Sequence, residues 1–225
     1  MDYELIKLPA NELLEKFGSG GHKPGSGSAA ALLGLVSCKL IQTVVTLSSG
    51  RDKYNGVESQ LTLANQSVCD DIEPILLCAV QEDSIQFDKV IEVRRERDAV
   101  KDDEKLKRHY SEKALTELRR ATEIPFEIAE TCIELAEKAL VIFDLGFKAA
   151  RGDSGVAISA ALSGASGSIS IIYLNLTSFK GGEWAIQMRV KADYLNSRIQ
   201  KLQVELFDRI NQLQREVVQR EPQKD

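Results

Sequence analysis

Apolar residues along this chain recur every three or four positions, and hardly anywhere do they alternate. The spacing predicts helices and no convincing strand. Pro9 to Phe17 reads as a short amphipathic helix, with Pro9 suited to the first turn and Gly18 to the stop. From Ser26 to Leu47 apolar residues nearly surround the helix, which predicts a central or interface position. "SSGRDKYNG", Ser48 to Gly56, is a turn-rich loop. A helical pattern then runs from Val57 to Val100 with a bend expected at Pro74, and "KDDEK" makes a polar turn. The next runs from Glu104 to Phe143, bent or broken near Pro125. After the loop "DLGFKAARGD", Asp153 is placed to cap a helix reaching Phe179, which "KGGE" ends. The last helix, Trp184 to Arg220, carries Leu195, Ile199, Leu202, Leu206, Ile210, Leu213 and Val217, a coiled-coil-like stripe with one stutter. That stripe packs along a bundle or a second subunit and implies no chemistry. The tail "REPQKD" is expected to fray. These elements make an all-α antiparallel bundle of long helices, one domain over 1–225, with no internal repeat. Its uncharged helices want more burial than one subunit offers, so a homodimer is expected.

Composition narrows the function classes. Hydrophobic residues make up 43% of the 225 and aromatics 6%, enough for one core and biased toward helix. Net charge is −5 with both signs interspersed and no basic block, which does not support a nucleic-acid partner. The four cysteines are scattered, none in C-x-x-C, and there are two histidines, so no metal site is expected. The acidic, amphipathic N-terminus does not read as a signal peptide, and a cytoplasmic location fits. Gly155 to Phe179 carries no charge and is long enough to span a bilayer. Its serines and glycines argue for a buried helix rather than a membrane partner. The small residues between Gly152 and Ser170 allow close helix packing, or room for a flat ligand.

Two stretches carry candidate chemistry. "KFGSGGHKPGSGSAAALLG" crowds glycines around Pro24 and runs straight into a helix. A loop at a helix N-terminus, rich in residues that tolerate close approach, can hold an electron-rich group; from this stretch alone, a plain linker before a core helix is the leading reading. In "PILLCAVQEDSIQFDKVI", Leu76, Val80, Phe87 and Ile91 define an apolar face, and Asp83 occupies the position that completes it. A carboxylate on a buried stripe is costly unless paired or protonated. Desolvation raises its pKa, which suits general acid/base work, although a buried acid bonded to a neighbouring helix has the same signature. Glu82 and Asp88 lie off this face and read as solvated charges. Arg51, Lys53 and Tyr54 in their loop suit an anionic ligand or plain solvation. Asn175 suits a ligand or the neighbouring backbone. His22 beside the glycines is thin evidence, and His109 reads as surface. No Ser-His-Asp or Cys-His order emerges.

Six stretches in order together resemble one family. They are "PGSGSAAALLG", "LSSGRDKYNGVE", "QEDSIQF", "ATEIPFEIAE", "RGDSGVA" and "LNLTSFKG". They resemble the cyclodeaminase/cyclohydrolase family of folate one-carbon enzymes, from about Asn11 to Ala192. The resemblance implies an all-helical homodimer with folate near the subunit interface. It implies ring closure of 5-formimino-tetrahydrofolate to 5,10-methenyl-tetrahydrofolate with release of ammonia, or interconversion of methenyl- and 10-formyl-tetrahydrofolate. A tetrahydrofolate derivative is then the substrate, and no cofactor is permanently bound. Asp83 is the implied proton donor/acceptor. Pro24, Gly25, Ser26, Gly27 and Ser28 would line the pterin or one-carbon site, and Arg51, Lys53 or Lys148 would meet the glutamate tail. Tyr54, Asp153 and Asn175 join the implied binding set. Three positions depart from the family pattern: Ser26 stands for a glycine, Gln81 for an aspartate and Gly152 for a serine. If position 26 needed positive φ, a serine would be strained there. A non-catalytic dimeric helical protein on the same fold is the alternative from another class.

Overall fold

The computed structural model describes residues 5–218, and among them every regular element is helical. The elements are α1 (Ala10–Gly18), α2 (Ser26–Ser48), α3 (Glu58–Ser67), α4 (Glu73–Ala99), α5 (Glu104–Leu145), α6 (Arg151–Leu176) and α7 (Glu183–Val218). The expected extension of the last helix to Arg220 and the tail after it lie outside the described residues.

Side-chain pairings fix the helix directions. Ser28 meets Val80 and Ser84, whereas Gln42 meets Glu73, so α2 and α4 run antiparallel. Gly164 lies against Ala30 and Gly34, and α6 also opposes α2. Three ion pairs, Glu130–Lys191, Glu137–Arg198 and Asp144–Arg209, climb in step along α5 and α7, which are parallel. The second half of α5 is the axis of the core: Ile128, Ala129, Cys132, Ile133, Leu135, Ala136 and Ala139 are fully buried. Where α2, α5 and α6 cross, small residues are a necessity. A Cβ on Gly164 would stand 2.7 Å from the Ala30 carbonyl and 2.9 Å from the Cys132 sulfur.

Pro74 perturbs its helix as expected, but upstream: a π turn, Val68–Ile72, joins α3 to α4. Pro125 does not break α5, which runs unbroken from Glu104 to Leu145. A proline there forfeits a backbone bond and crowds the preceding turn. Burial of Pro125, Phe126 and their neighbours outweighs that cost. Asp153 is not a cap. A 3₁₀ turn, Lys148–Ala150, starts the helix earlier, so Asp153 falls in the first turn, where it makes no capping bond. Asp103 does cap its helix, accepting from the amides of Lys105 and Leu106.

Two helical segments, Ser26–Ser48 and Lys148–Leu176, are long and apolar enough to cross a bilayer by length and composition. Both pack one side into the bundle. On α2 the outer side carries Ala29, Leu33, Val36, Leu40, Thr43 and Leu47. On α6 it carries Val156, Ser159, Ser163, Ser170 and Leu174. Neither stripe contains a charge, and the exposed Lys39, paired with Glu73, borders that of α2.

Candidate active site

The site grows from the first turn of α2. Gly25 is extended, Ser26 is the first helical residue, and the amide of Ser28 points out of the helix end. Asp83 reaches it from α4, and its Oδ2 accepts from the Ser28 amide at 3.0 Å. The Ser28 hydroxyl also lies 3.4 Å from that oxygen, but its single proton is better used on the Val80 carbonyl at 2.8 Å. Ser84 completes this buried cluster, 3.0 Å from the Ser28 hydroxyl. Burial pushes the Asp83 carboxyl above the usual aspartate range, and the bonds from Ser28 oppose the shift without cancelling it.

Gly27 makes the approach possible. A Cβ there would stand 2.1 Å from Oδ1 of Asp83 and 2.4 Å from its carboxyl carbon. The carboxyl occupies the space a side chain would take. Glycine is therefore needed at 27 for room and not for backbone torsion. Gly20 is the glycine of this loop with positive φ, and among the described residues no non-glycine residue has one.

Asp88, one turn past Asp83, is half-buried and is not a free solvated charge. One of its oxygens lies 2.6 Å from Nε2 of His22, and the other pairs with Lys23. It ties the glycine loop to α4. The resulting cavity of about 360 Å³ is lined by the loop and α2 start (His22, Gly25, Ser26) and by Asp83, Phe87 and Arg94 of α4. Leu118 and Ala121 of α5 close one side; Ile171, Leu174 and Asn175 of α6, with Thr177 and Ser178 after it, close the other. The size suits a small organic ligand. A larger open groove between α4, α5 and α7, about 980 Å³, is lined by Glu82, Lys89, Arg120, Glu123, Glu127, Glu130 and Lys191 among others. Its charges are mixed, and it lies open along the surface. The Asp83 cavity is the better candidate.

Of the residues singled out from sequence, Gly25, Ser26, Asp83 and Asn175 line this cavity. Gly27 and Ser28 hold the carboxyl from behind, and Pro24 is buried at the base of the loop. Arg51, Lys53, Tyr54, Lys148 and Asp153 are not brought to it. They gather at the far end of α2, where the Ser48 hydroxyl accepts from the Phe147 amide, Tyr54 Oη accepts from the Lys148 amide, and Arg51 lies 4.1 Å over the Phe147 ring. Ser28 and Ser48 are separated by about 30 Å of helix. Sequence reasoning set His22 aside, read Phe87 as core, and missed Arg94, Thr177 and Ser178. For Arg94 a signal existed, since it recurs on the helical face of Asp83 and Phe87.

The three departures have plain structural readings. Ser26 is helical and unstrained. Gln81 faces away from the cavity and accepts from the Leu5 amide at 3.0 Å, tying the first turn of the chain to α4. A Cβ at Gly152 would meet open space, so a serine there would be tolerated equally.

The model of the family described as formiminotransferase-cyclodeaminase matches residues 9–194, the span that contains every one of these site residues. The chain belongs to the formiminotransferase-cyclodeaminase family. A curated relative, methenyltetrahydrofolate cyclohydrolase of Methylorubrum extorquens, is 26% identical over 172 residues, covering 75% of this chain and 81% of the relative. The crystal structure of formiminotetrahydrofolate cyclodeaminase from Thermotoga maritima superposes with a TM-score of 0.78 at 16% identity, over 93% of this chain and 99% of that one. That likeness establishes a shared fold.

Proposed function

We propose that this chain is a folate one-carbon enzyme that closes 5-formimino-tetrahydrofolate to 5,10-methenyl-tetrahydrofolate, with Asp83 as the proton carrier. The observation that carries the reading is a desolvated carboxyl, with its pKa raised, held against a helix N-terminus inside a ligand-sized cavity. The folate brings its own nucleophile, so a single positioned acid/base suffices. N10 bonds to the formimino carbon of the amidinium form, and its proton passes to Asp83. The carbon–nitrogen bond to the amino group then breaks as Asp83 returns that proton to the departing nitrogen. Ammonia leaves, and the positive charge stays on the N5–C–N10 unit. A raised pKa brings acid and base forms of Asp83 closer in energy near neutrality, as a group used in both directions requires.

A second reading on the same residues is supported by the Methylorubrum relative. In it Asp83 takes a proton from water attacking the methenyl carbon and delivers it to N5 as the C–N5 bond breaks; the remaining hydroxyl proton leaves to solvent, carrying off the cation's charge, and 10-formyl-tetrahydrofolate results. Purified protein given each substrate separates the readings: ammonia release with methenyl formation supports the first, and loss of the methenyl chromophore supports the second. Neither activity with either folate would leave a non-catalytic protein on this fold.

The homodimer belongs to the same proposal. The two stripes suit a second copy, because that of α2 is largely aliphatic, that of α6 sets serines between Val156 and Leu174, and they expose Leu33, Val36 and Val156 at 39%, 45% and 56%. Two copies meeting there head to tail would bring the Arg51, Lys53, Tyr54, Lys148 and Asp153 end of one toward the cavity of the other. Only in that arrangement do those residues join the site. A cytoplasmic location remains part of this reading.

A further inference from the structure

The cavity has two chemically different ends. Asp83 and Arg94 are eleven residues apart on α4 (94 − 83 = 11) and both line it. Eleven residues make about three helical turns plus 20°, so the two side chains share a face, separated by about 16 Å of helix axis. Helical side chains lean toward the helix N-terminus, which tilts the long Arg94 back over Phe87 toward Asp83. Phe87 lies between them on the same face.

Arg94 has no hydrogen bond or ion pair among the described residues. Asp98, one turn on, is held by Arg97 at 2.8 Å and acts on Arg94 only through its field. Of the other charged or titratable side chains lining the cavity, Asp83 is held by Ser28 and His22 by Asp88. A guanidinium left open at one end of a partly apolar cavity is a fork without its carboxylate.

We infer that Arg94 receives a carboxylate of the ligand's glutamate portion, while the reacting N5–C–N10 unit sits at Asp83 and the benzoyl ring lies over Phe87. The inference rests on the folate reading and names the residue that recognises the acidic end. The separation along α4, shortened by the reach of the long arginine side chain back toward Asp83, suits a ring and an amide link between reacting carbon and acid. It assigns the first carboxylate contact to the same chain, without help from the Arg51–Lys148 end of a partner.

The test compares tetrahydrofolate with its diamide, in which both glutamate carboxylates are neutral carboxamides, by calorimetry. Wild type should bind tetrahydrofolate about 10- to 100-fold more tightly, the range of a charge-assisted pair. Arg94→Met, with its fold checked by circular dichroism, should bind the two within about threefold of each other. Asp83→Asn should keep the wild-type preference, which separates tail recognition from chemistry. If Arg94→Met keeps the full preference, the carboxylates are held elsewhere and the assignment to Arg94 falls. If wild type binds both ligands equally, the assignment falls while the folate site stands. If wild type binds neither, the folate reading itself is overturned, and this inference with it.

Discussion

A few ångströms around Asp83 concentrate most of the chemistry this chain can offer. Its half-buried carboxyl accepts one good amide bond and fills the space left by the missing side chain of Gly27. Asp83→Asn should lower kcat by about 10²- to 10⁴-fold, the share of a general acid/base, with unchanged circular dichroism. The same variant has a stability signature. The folded pKa of Asp83 lies above its unfolded value, so its contribution to stability is full below the ordinary aspartate range and is lost as pH rises through the raised value. Denaturant unfolding at stepped pH should show wild type losing ground against Asp83→Asn over that window and levelling above it; a flat difference would contradict the raised pKa. Gly27→Ala tests the packing. Its methyl would evict the carboxyl from the Ser28 amide, and a misplacement of that size costs about 10²-fold in kcat/KM. Activity at the wild-type level in this variant would show that the carboxyl does not work from this position. Asp83 was legible in the sequence because a charge on an apolar stripe contradicts its own periodicity. Arg94 carried only the weaker signal of its register with Asp83 and Phe87, because an arginine in "EVRRERD" looks like any solvated charge until the fold closes a cavity over it.

Among the elements, α2 and α6 approach so closely that backbone meets backbone. Gly164→Ala puts a methyl 2.7 Å from the Ala30 carbonyl, an atom that cannot swing aside. It should destabilise the fold by about 1–3 kcal/mol, measurable as a lowered denaturant midpoint with unchanged slope. Helix bounds followed from apolar spacing nearly everywhere, because period and burial agree along these helices. The misjudged positions are those where local propensity lost to packing. Pro125 is carried through α5 by the core around it, and Asp153 was overtaken by a 3₁₀ turn that starts α6 earlier. The implied binding set mixed two ends of α2 for a related reason: sequence order records neighbours along the chain and says nothing of the 30 Å or so that one helix interposes.

For the whole molecule, the largely apolar outer stripe of α2 beside that of α6 is the feature with the most consequence for the proposed assembly. If the proposed dimer forms through that face, Val36→Asp places a charge in its middle and should shift the protein to monomer in light scattering, with helicity retained. A wild-type monomer at micromolar concentration would remove the pairing, and with it any role for Arg51, Lys53 and Lys148 at the cavity. The pocket is drawn from α2, α4, α5, α6 and the segment after α6, and none of its lining belongs to α7. The long last helix therefore braces α5 through its ladder of ion pairs without touching the candidate chemistry.

Gly27 and Asp83 share one volume, and that couples their histories. A lineage cannot acquire a side chain at position 27 while the carboxyl still fills the space, and once the carboxyl is gone nothing on the structure demands a glycine there. Across relatives the two positions should change together or stay together. A descendant bearing alanine at 27 would mark a scaffold that has given up proton transfer for better packing, which makes this pair a simple diagnostic for telling working members of the family from retired ones.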